Sequence, residues 1–300
     1  MDRLHTMTVF VAVAEEEGFA PAARRLNISP PAVTRAVTEL EQRLGAKLLH
    51  RTTRAVHLTE AGARYLADVR RILSEIEEID RSAAGVHATP RGRVTVTASV
   101  LFGRMVMVPI LLEILDRYPE IGIDAIYVDR VTHLLDEGID VAIRIAELPD
   151  STLSAVRVGS VRRVLCAAPD YLDRRGRPNA PAELKAHDIV EFVNLSHSGE
   201  WSFLRDGRPQ GFRPQARFRV NNADAAIAAA AAGRGITRVL SYMIAEPLAD
   251  GSLELVLDDF ALPPTPVHVV HKETGQTSAR VRAVVDHLAE RLRGSPGLDH

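Results

Sequence analysis

Residues Phe19 to Gly62 read FAPAARRLNISPPAVTRAVTELEQRLGAKLLHRTTRAVHLTEAG. Phe19 to Leu26 has the form of a short helix, with Pro21 tolerated in its first turn and Ala22, Ala23 and Leu26 facing inward. Asn27-Ile28 then makes a tight turn. Ser29 is a natural N-cap, and proline suits the first helical position. Pro31 has no N–H, so the Ser29 hydroxyl is expected to cap Ala32 instead. The helix that follows runs to Leu44, with Val33, Val37, Leu40 and Leu44 on one stripe and Thr34, Arg35, Thr38 and Gln42 on the other. Gly45 stops it. Upstream, Leu4, Met7, Phe10, Val11 and Val13 predict a first amphipathic helix ending near Glu17-Gly18.

Two short helices, a turn and a polar-faced third helix place a helix N-terminus against base edges in the major groove, the geometry of a helix-turn-helix. Lys47 to Leu58 reads as two short strands with a basic tip, which is a wing. Between Arg24 and His57 seven bases (Arg24, Arg25, Arg35, Arg43, Lys47, Arg51, Arg54) face two acids (Glu39, Glu41), a local +5 in a chain of net charge -2. Such a patch attracts the phosphate backbone whatever the total charge. The candidate DNA contacts are Ser29, Pro30, Pro31, Thr34, Arg35 and Thr38 on the helix, and Arg51, Thr52, Thr53 and Arg54 on the wing.

The chain has 300 residues, enough for two or three compact units. With 46% hydrophobic and 25% charged residues it has the composition of a globular protein. The N-terminal apolar stretch is broken by Glu15, Glu16 and Glu17, which excludes a signal peptide, and no run approaches the roughly 20 apolar residues of a membrane span. A cytoplasmic protein without a membrane partner is expected. The single cysteine, Cys166, lies in an apolar run and reads as a buried structural thiol. No G-x-S-x-G, Walker A or H-E-x-x-H pattern occurs, and His197-Ser198-Gly199-Glu200 reads as a polar loop. Gly233 and Gly235 follow a helix pattern, not a strand, so they make no dinucleotide fingerprint. These readings assign no catalytic residue, metal ligand or cofactor.

From Thr59 to Gly85, Tyr65, Val69, Ile72, Ile76, Ile79 and Ala83 are spaced as a heptad seam. Either the helix packs on its own domain or it pairs with a second copy of the chain, and His87 to Gly92 reads as a hinge. Beyond it strand and helix patterns alternate, implying mostly parallel sheets with helices on their faces. Strands are expected at Val94–Thr97, Ile121–Val128 and Val141–Ile143, with helices at Met105–Tyr118 and Val131–Glu137. A second set comprises strands Val164–Ala168, Ile189–Val193 and Ile236–Val239 and an alanine-rich helix Ala223–Ala232. Three strands are too few for the first lobe, so strand Val267–Val270 and helix Ala279–Leu292 are expected to return to it. Two lobes joined by a double crossover describe a type 2 periplasmic-binding-protein fold.

The Phe19–Gly62 stretch closely resembles the signature of LysR-type transcriptional regulators, through Phe19, Ala22-Ala23, Leu26, Ser29, Pro31-Ala32-Val33, Leu40-Glu41, Leu44-Gly45, Leu48, Arg51, Leu58-Thr59 and Ala61-Gly62. It departs at Gly18, where serine is usual, at Pro30, where glutamine is common, and at Leu49, where an aromatic is usual. Pro30 shifts the burden of base contact to Thr34, Arg35 and Thr38. RYPEIGID, LLDEGIDVAIRI, NNADAAIAAAAAGRGI and LADGSLELVL resemble the effector domain of the same family. The resemblance implies an α/β chain: a winged helix-turn-helix at 1–59, a linker and dimerisation helix with hinge at 60–90, and a two-lobed effector domain at 91–300. Lobe I is expected at about 91–162 and 267–294, lobe II at about 163–266. It further implies a homodimer or homotetramer joined through Tyr65, Val69, Ile72, Ile76 and Ile79, and double-stranded DNA as partner, with RNA polymerase as a further candidate.

A small, anionic effector is expected in the cleft at the strand ends, near Ser99, Phe102, Arg144, Asn222 and Asp224. Plain helix caps without a ligand are the alternative for Ser99 and Asn222, and for Arg144 a local acid such as Glu147 is as good a partner as an effector carboxylate. The competing function is a cytoplasmic solute-binding or enzyme-like protein on the same two-lobed fold.

Overall fold

The computed structural model describes residues 2–51, 56–83, 89–132, 134, 137–149, 153–193, 199–272 and 278–298. The chain divides into two units, Met1–Thr89 and Pro90–His300. In the first, α1 (Arg3–Glu15) starts at Asp2, whose carboxylate accepts from the Leu4 N–H. Its inward face is Thr6, Met7, Val9, Phe10, Ala12 and Val13. Leu4 belongs to the other face, 38% exposed, and the helix ends two residues before the expected Glu17. Helix α2 (Phe19–Leu26) buries Ala22 and Ala23 and ends on Asn27 in the left-handed region, φ 53°. Helix α3 (Pro30–Leu44) follows and stops at Gly45, φ 66°.

Ser29 occupies the N-cap of α3, but its hydroxyl makes no capping bond. The Ser29 carbonyl takes the Ala32 and Val33 N–H groups instead, at 2.9 and 3.1 Å. The buried stripe of α3 is Val33, Ala36, Val37, Leu40 and Glu41, and Leu44 lies outside it, 37% exposed. Glu41 is 3% exposed, and it accepts from Lys47 Nζ at 2.7 Å and from the Leu48 and Leu49 N–H groups at 2.9 and 3.2 Å. Burial alone would raise this carboxyl. The Lys47 and backbone hydrogen bonds outweigh it and hold the group below its ordinary value.

That carboxylate sets the start of the wing, β1 (Leu49–Arg51) antiparallel to β2 (Val56–Leu58), with Leu49 opposite Leu58 and Arg51 opposite Val56. Thr52, Thr53 and Arg54, at the expected tip, lie outside the described residues. Helix α4 (Glu60–Ala83) begins against the same spot. Thr59 donates from Oγ1 to the Lys47 carbonyl at 2.7 Å and from its N–H to the Leu48 carbonyl at 2.9 Å. A Cβ on Gly62 would stand 2.0 Å from the Leu48 oxygen, so no larger residue fits there.

The second unit holds two five-stranded sheets. One is built from β3 (Gly92–Ala98), β4 (Ile121–Tyr127), β5 (Val141–Ile145), β6 (Leu153–Val161) and a late strand, β14 (Thr265–Lys272), in the order β4-β3-β5-β14-β6. The expected return is therefore made, with β14 inserted between β5 and β6. Between β3 and β4 runs α5 (Val100–Phe102), a π turn (Gly103–Met107) and α6 (Val108–Arg117), a helical path five residues longer at its start than expected. The other sheet contains β7 (Arg163–Ala167), β8 (Ile189–Phe192), β11 (Phe218–Val220), β12 (Ile236–Leu240) and β13 (Glu254–Val256), in the order β11-β8-β12-β7-β13. Both sheets are mixed. Strands β3–β4, β3–β5, β8–β11 and β8–β12 pair parallel, while β14, β7 and β13 run antiparallel to their neighbours.

Short α7 (Pro169–Arg175) and the hairpin β9 (Trp201–Arg205)–β10 (Arg208–Phe212) bury Tyr171, Leu172, Trp201, Phe203 and Phe212 on one face of the second sheet. Helix α8 (Ala223–Ala231) covers the other, and α9 (Ala245–Ala249) precedes β13. The closing helix α10 (Ala279–Arg293) packs on β3, β6 and α6. The helix expected at Val131–Glu137 is absent from the described residues of that stretch. Leu134 instead leaves a turn to join Ile139, Ala142 and Val270 in a small apolar cluster.

Glu41→Gln tests the wing anchor. At neutral pH the variant is expected to unfold with a stability lower by about 1–3 kcal/mol, because Lys47 loses its partner and two buried N–H groups a charged acceptor. The depressed carboxyl gives the wild type stability that is complete above the unfolded value of about 4.3 and disappears as pH falls through the folded value. The gap between variant and wild type, measured by denaturant unfolding of the full chain, is therefore expected to close in acid. A gap that persists unchanged there refutes the anchor.

Candidate nucleic-acid interface and effector cleft

Pro30, Pro31, Thr34, Arg35, Thr38 and Gln42 line one shallow concave surface along the outer side of α3. Pro30 occupies the first helical turn because no N–H is needed there, and it leaves the helix start free of a long side chain. Thr34 donates its hydroxyl to the Pro30 carbonyl at 3.1 Å. Arg35 is exposed and forms no hydrogen bond or ion pair with another described residue, and Arg24 is in the same state.

Three of the seven bases counted in the sequence are tied within the chain. Arg25 pairs with Glu15 at 2.7 Å and Glu16 at 3.3 Å, Arg43 with Glu39 at 3.3 Å, and Lys47 with Glu41 at 2.7 Å. Glu39 and Glu41 are already subtracted in the local +5, so the further reduction comes from Arg25 alone, and among the described residues Arg24 on α2 and Arg35 on α3 are the bases left untied. Arg51 sits in β1, and its side chain lies outside the described residues, as do Thr52, Thr53 and Arg54.

The heptad seam of α4 is spent unequally. Val69 is fully buried in the first unit's own core, and Tyr65 packs on Phe10 with ring centroids 5.7 Å apart. Val69 therefore offers no surface to a second chain, whereas Tyr65 is half-buried and part of its ring is taken by Phe10. Ile72 and Ile76 are half-buried, and the Ile79 side chain lies outside the described residues.

In the second unit Ser99 ends β3 and stands at the N-cap of α5. Its hydroxyl makes no cap, Asp129 Oδ1 accepts the Val100 N–H at 3.0 Å, and Ser99 Oγ lies 3.5 Å from the Tyr242 hydroxyl. Tyr242 comes from the 3-10 turn that follows β12, so this contact joins the two lobes. Burial, the largest influence, pushes its phenol upward. Phe102 is completely buried and meets the Tyr242 ring edge-on, with centroids 5.3 Å apart. It supports Tyr242 from below and does not wall the cleft.

Asn222 is the N-cap of α8, its Oδ1 accepting from the Ala225 N–H at 2.9 Å. Asp224, in the first turn of α8, pairs with Arg104 Nη2 at 2.9 Å. Arg104 lies in the π turn, where Gly103 lets the Tyr127 ring pack within 2.3 Å of the place a Cβ would take. Arg144 gives its Nη2 to the Thr132 carbonyl and, at 3.1 Å, to the Thr132 hydroxyl, so Glu147 is not its partner. Burial lowers the Arg144 guanidinium, opposed by Glu137.

Ser99, Asn222 and Asp224 are thus gathered where the lobes meet, with Tyr242, Arg104 and Asp129, which the sequence reading did not single out. Tyr242 follows β12 by two residues, the position at which strands of such sheets deliver side chains to a cleft. Arg104 and Asp129 carried no comparable signal, since each depends on the π turn and on a loop.

A family model described as "Bacterial regulatory helix-turn-helix protein, lysR family" matches residues 4–63, and one described as "LysR substrate binding domain" matches residues 87–293. The chain is 31% identical over 291 residues to the HTH-type transcriptional activator AaeR of Escherichia coli, covering 97% of this chain and 94% of the relative. It is 32% identical over 298 residues to an HTH-type transcriptional repressor of Pseudomonas aeruginosa, covering 99% and 94%. Its fold is similar to that of CrgA, a LysR-type regulator of Neisseria meningitidis, with TM-score 0.62, 29% identity and coverage of 96% and 98%. AphB, a Vibrio cholerae virulence activator, gives TM-score 0.62 at 26% identity, with coverage of 96% and 99%. The chain belongs to the LysR family of DNA-binding, effector-controlled transcriptional regulators.

Proposed function

We propose that this regulator works in the cytoplasm as a homodimer or homotetramer, reading DNA through the outer face of α3 and the wing and responding to a small, anionic effector between the lobes. The observation that carries the DNA reading is the row of exposed Pro30, Thr34 and Arg35 with half-buried Thr38, whose arginine forms no hydrogen bond or ion pair among the described residues. Bidentate contact of an arginine with guanine is worth about 1–3 kcal/mol of discrimination. Relatives named activator and repressor stand at nearly equal identity, 31% and 32%, so their names favour neither sign of regulation, and RNA polymerase is a partner of the activating one.

Self-association is supported by Ile72 and Ile76 on α4 and by a second apolar stripe. Met105, Val108, Leu112 and Leu115, spaced three and four residues apart along the α5–α6 path, are 37–56% exposed. Such a stripe is costly in water unless another surface covers it.

Two arginines in the second unit, Arg104 and Arg144, support an anionic effector. Arg104 is the more accessible, and an incoming carboxylate would compete with Asp224 for it. That exchange would break an ion pair between lobes and so couple binding to lobe arrangement. Asp129 already holds the α5 N-terminus, so the effector's charged end belongs beside Arg104, with Ser99 and Tyr242 as neutral hydrogen-bond partners.

Three measurements test this. In gel mobility shifts with the promoter adjoining the gene, Arg35→Ala is expected to lose preference for operator over random DNA. Arg51→Ala with Arg54→Ala should weaken both and lower the salt slope by about 1 for each phosphate no longer neutralised. Equal losses on the two DNAs for Arg35→Ala would place that residue on phosphate. By sedimentation, Ile76→Lys is expected to yield monomers with weakened operator affinity, and an intact dimer would move the contact to α6. For the cleft, a panel of carboxylates is screened for a rise in the full chain's melting temperature. The affinity of a hit, measured by calorimetry, should then weaken about tenfold in Ser99→Ala with Asn222→Ala. Unchanged affinity sinks the cleft assignment and leaves the DNA reading intact.

A further inference from the structure

On the face of the second sheet turned away from α8, β7 and β12 bring two arginines together. Arg163 lies opposite Leu240 and Arg238 opposite Leu165, and residues two apart along a strand share a face. Arg238 is only 6% exposed, its guanidinium stacks 5.2 Å above the Trp201 ring, and its Nε has no hydrogen-bond partner among the described residues. Arg163 is half-buried and donates Nη1 to Thr265 Oγ1 at 2.9 Å. The nearby carboxylates are already engaged by other arginines: Glu191 by Arg219 at 2.7 Å, and Asp258 by Arg162 at 2.8 and 3.0 Å. Among the described residues four guanidiniums therefore share two carboxylates, and Glu191 acts on Arg238 through space without a hydrogen bond. Burial and the Arg163 charge push Arg238 down to about 10, which still leaves it charged at neutral pH.

A buried charge without a partner costs several kcal/mol, and arginine does not escape by losing its proton. Arg163, Arg238, Ser202, Phe203 and Asp258 border a cavity of about 10 Å³, room for one water-sized occupant. Water in that place would leave the excess charge uncompensated, and the small volume favours a compact anion over a phosphate or a bulky carboxylate. We infer that this cavity, on the opposite side of the sheet from the effector cleft's helix, binds one monovalent anion of chloride size between Arg163 and Arg238. The anion supplies the counter-charge on which this face of the lobe folds, so the stability of the regulator depends on the identity of the salt and not on ionic strength alone.

The full chain is melted in sodium gluconate and in sodium chloride at equal ionic strength. Chloride is expected to raise the melting temperature saturably, by about 2–4 °C. Arg238→Met is expected to abolish the difference, and Arg35→Ala, on the exposed α3 face, to keep it. No saturable difference in the wild type, or an equal one in Arg238→Met, overturns the site. Where Arg238→Met does not fold, wild-type crystals grown with bromide decide: an anomalous peak between Arg163 and Arg238 supports the site, and its absence at saturating bromide overturns it. A phosphate shift equal to that of chloride overturns the size limit.

Discussion

The wing of a helix-turn-helix reader has only a few ladder bonds of its own, so its direction must be imposed from outside. Here a single carboxylate imposes it. Glu41 projects from the last turns of α3 and binds the N–H groups of Leu48 and Leu49 just where the chain leaves the helix for β1. The Leu48 carbonyl in turn accepts from Thr59, and Gly62 makes room for it at the start of α4. Recognition helix, wing and linker are therefore fixed to one another within a few residues, and a change in any of them is felt at the others. Both Lys47 and the carboxylate are spent on this junction, so this base serves the fold of the reader as well as its charge.

Glu41 was legible in principle. Taken from Val33, positions i+4, i+7 and i+8 of a helical stripe are Val37, Leu40 and Glu41, so the acid falls on the buried side. The reading that placed Leu44 there instead extended the stripe by one residue too many. Ser29 shows a different limit. Its place at the helix start was readable from the two prolines, but the choice between hydroxyl and carbonyl as acceptor is a matter of rotamer and local geometry, which sequence pattern does not encode.

In the second unit the strands with long apolar runs were legible because burial on both faces demands them. The hairpin β9–β10 was readable but missed: Asp206-Gly207 stands between two strand-like runs, and both residues have positive φ, 49° and 74°, as the favoured two-residue turn requires. Leu134 misled in the opposite sense, since apolar residues at helical spacing also arise when a turn feeds a small satellite cluster. Antiparallel β14 reflects topology, not composition. A strand that enters a sheet from a crossover takes the direction its connection permits, and alternation of patterns carries no information on that direction. The sites followed the same division. Asn222 and Ser99 were found because caps have a signature, whereas Arg104 reaches Asp224 only through a π turn that no pattern announced.

That π turn bears on how the lobes can switch. A helix forced through an extra residue is less regular than its neighbours, and such turns are frequent where function needs a displaced side chain. Arg104 and Asp224 are both more than a third exposed, and an ion pair in that setting contributes about 0–1 kcal/mol. The Ser99 to Tyr242 contact, at 3.5 Å, is at the limit of a hydrogen bond. Together these interlobe ties are of the same size as, or smaller than, the roughly 1–3 kcal/mol by which an effector typically couples to a distant site. A ligand that replaces Asp224 at Arg104 and shortens the Ser99 contact would therefore have enough differential affinity to reset the lobes. The deep apolar core that runs through both lobes, anchored by Phe102 beneath Tyr242, would keep its packing while the rim changes partners.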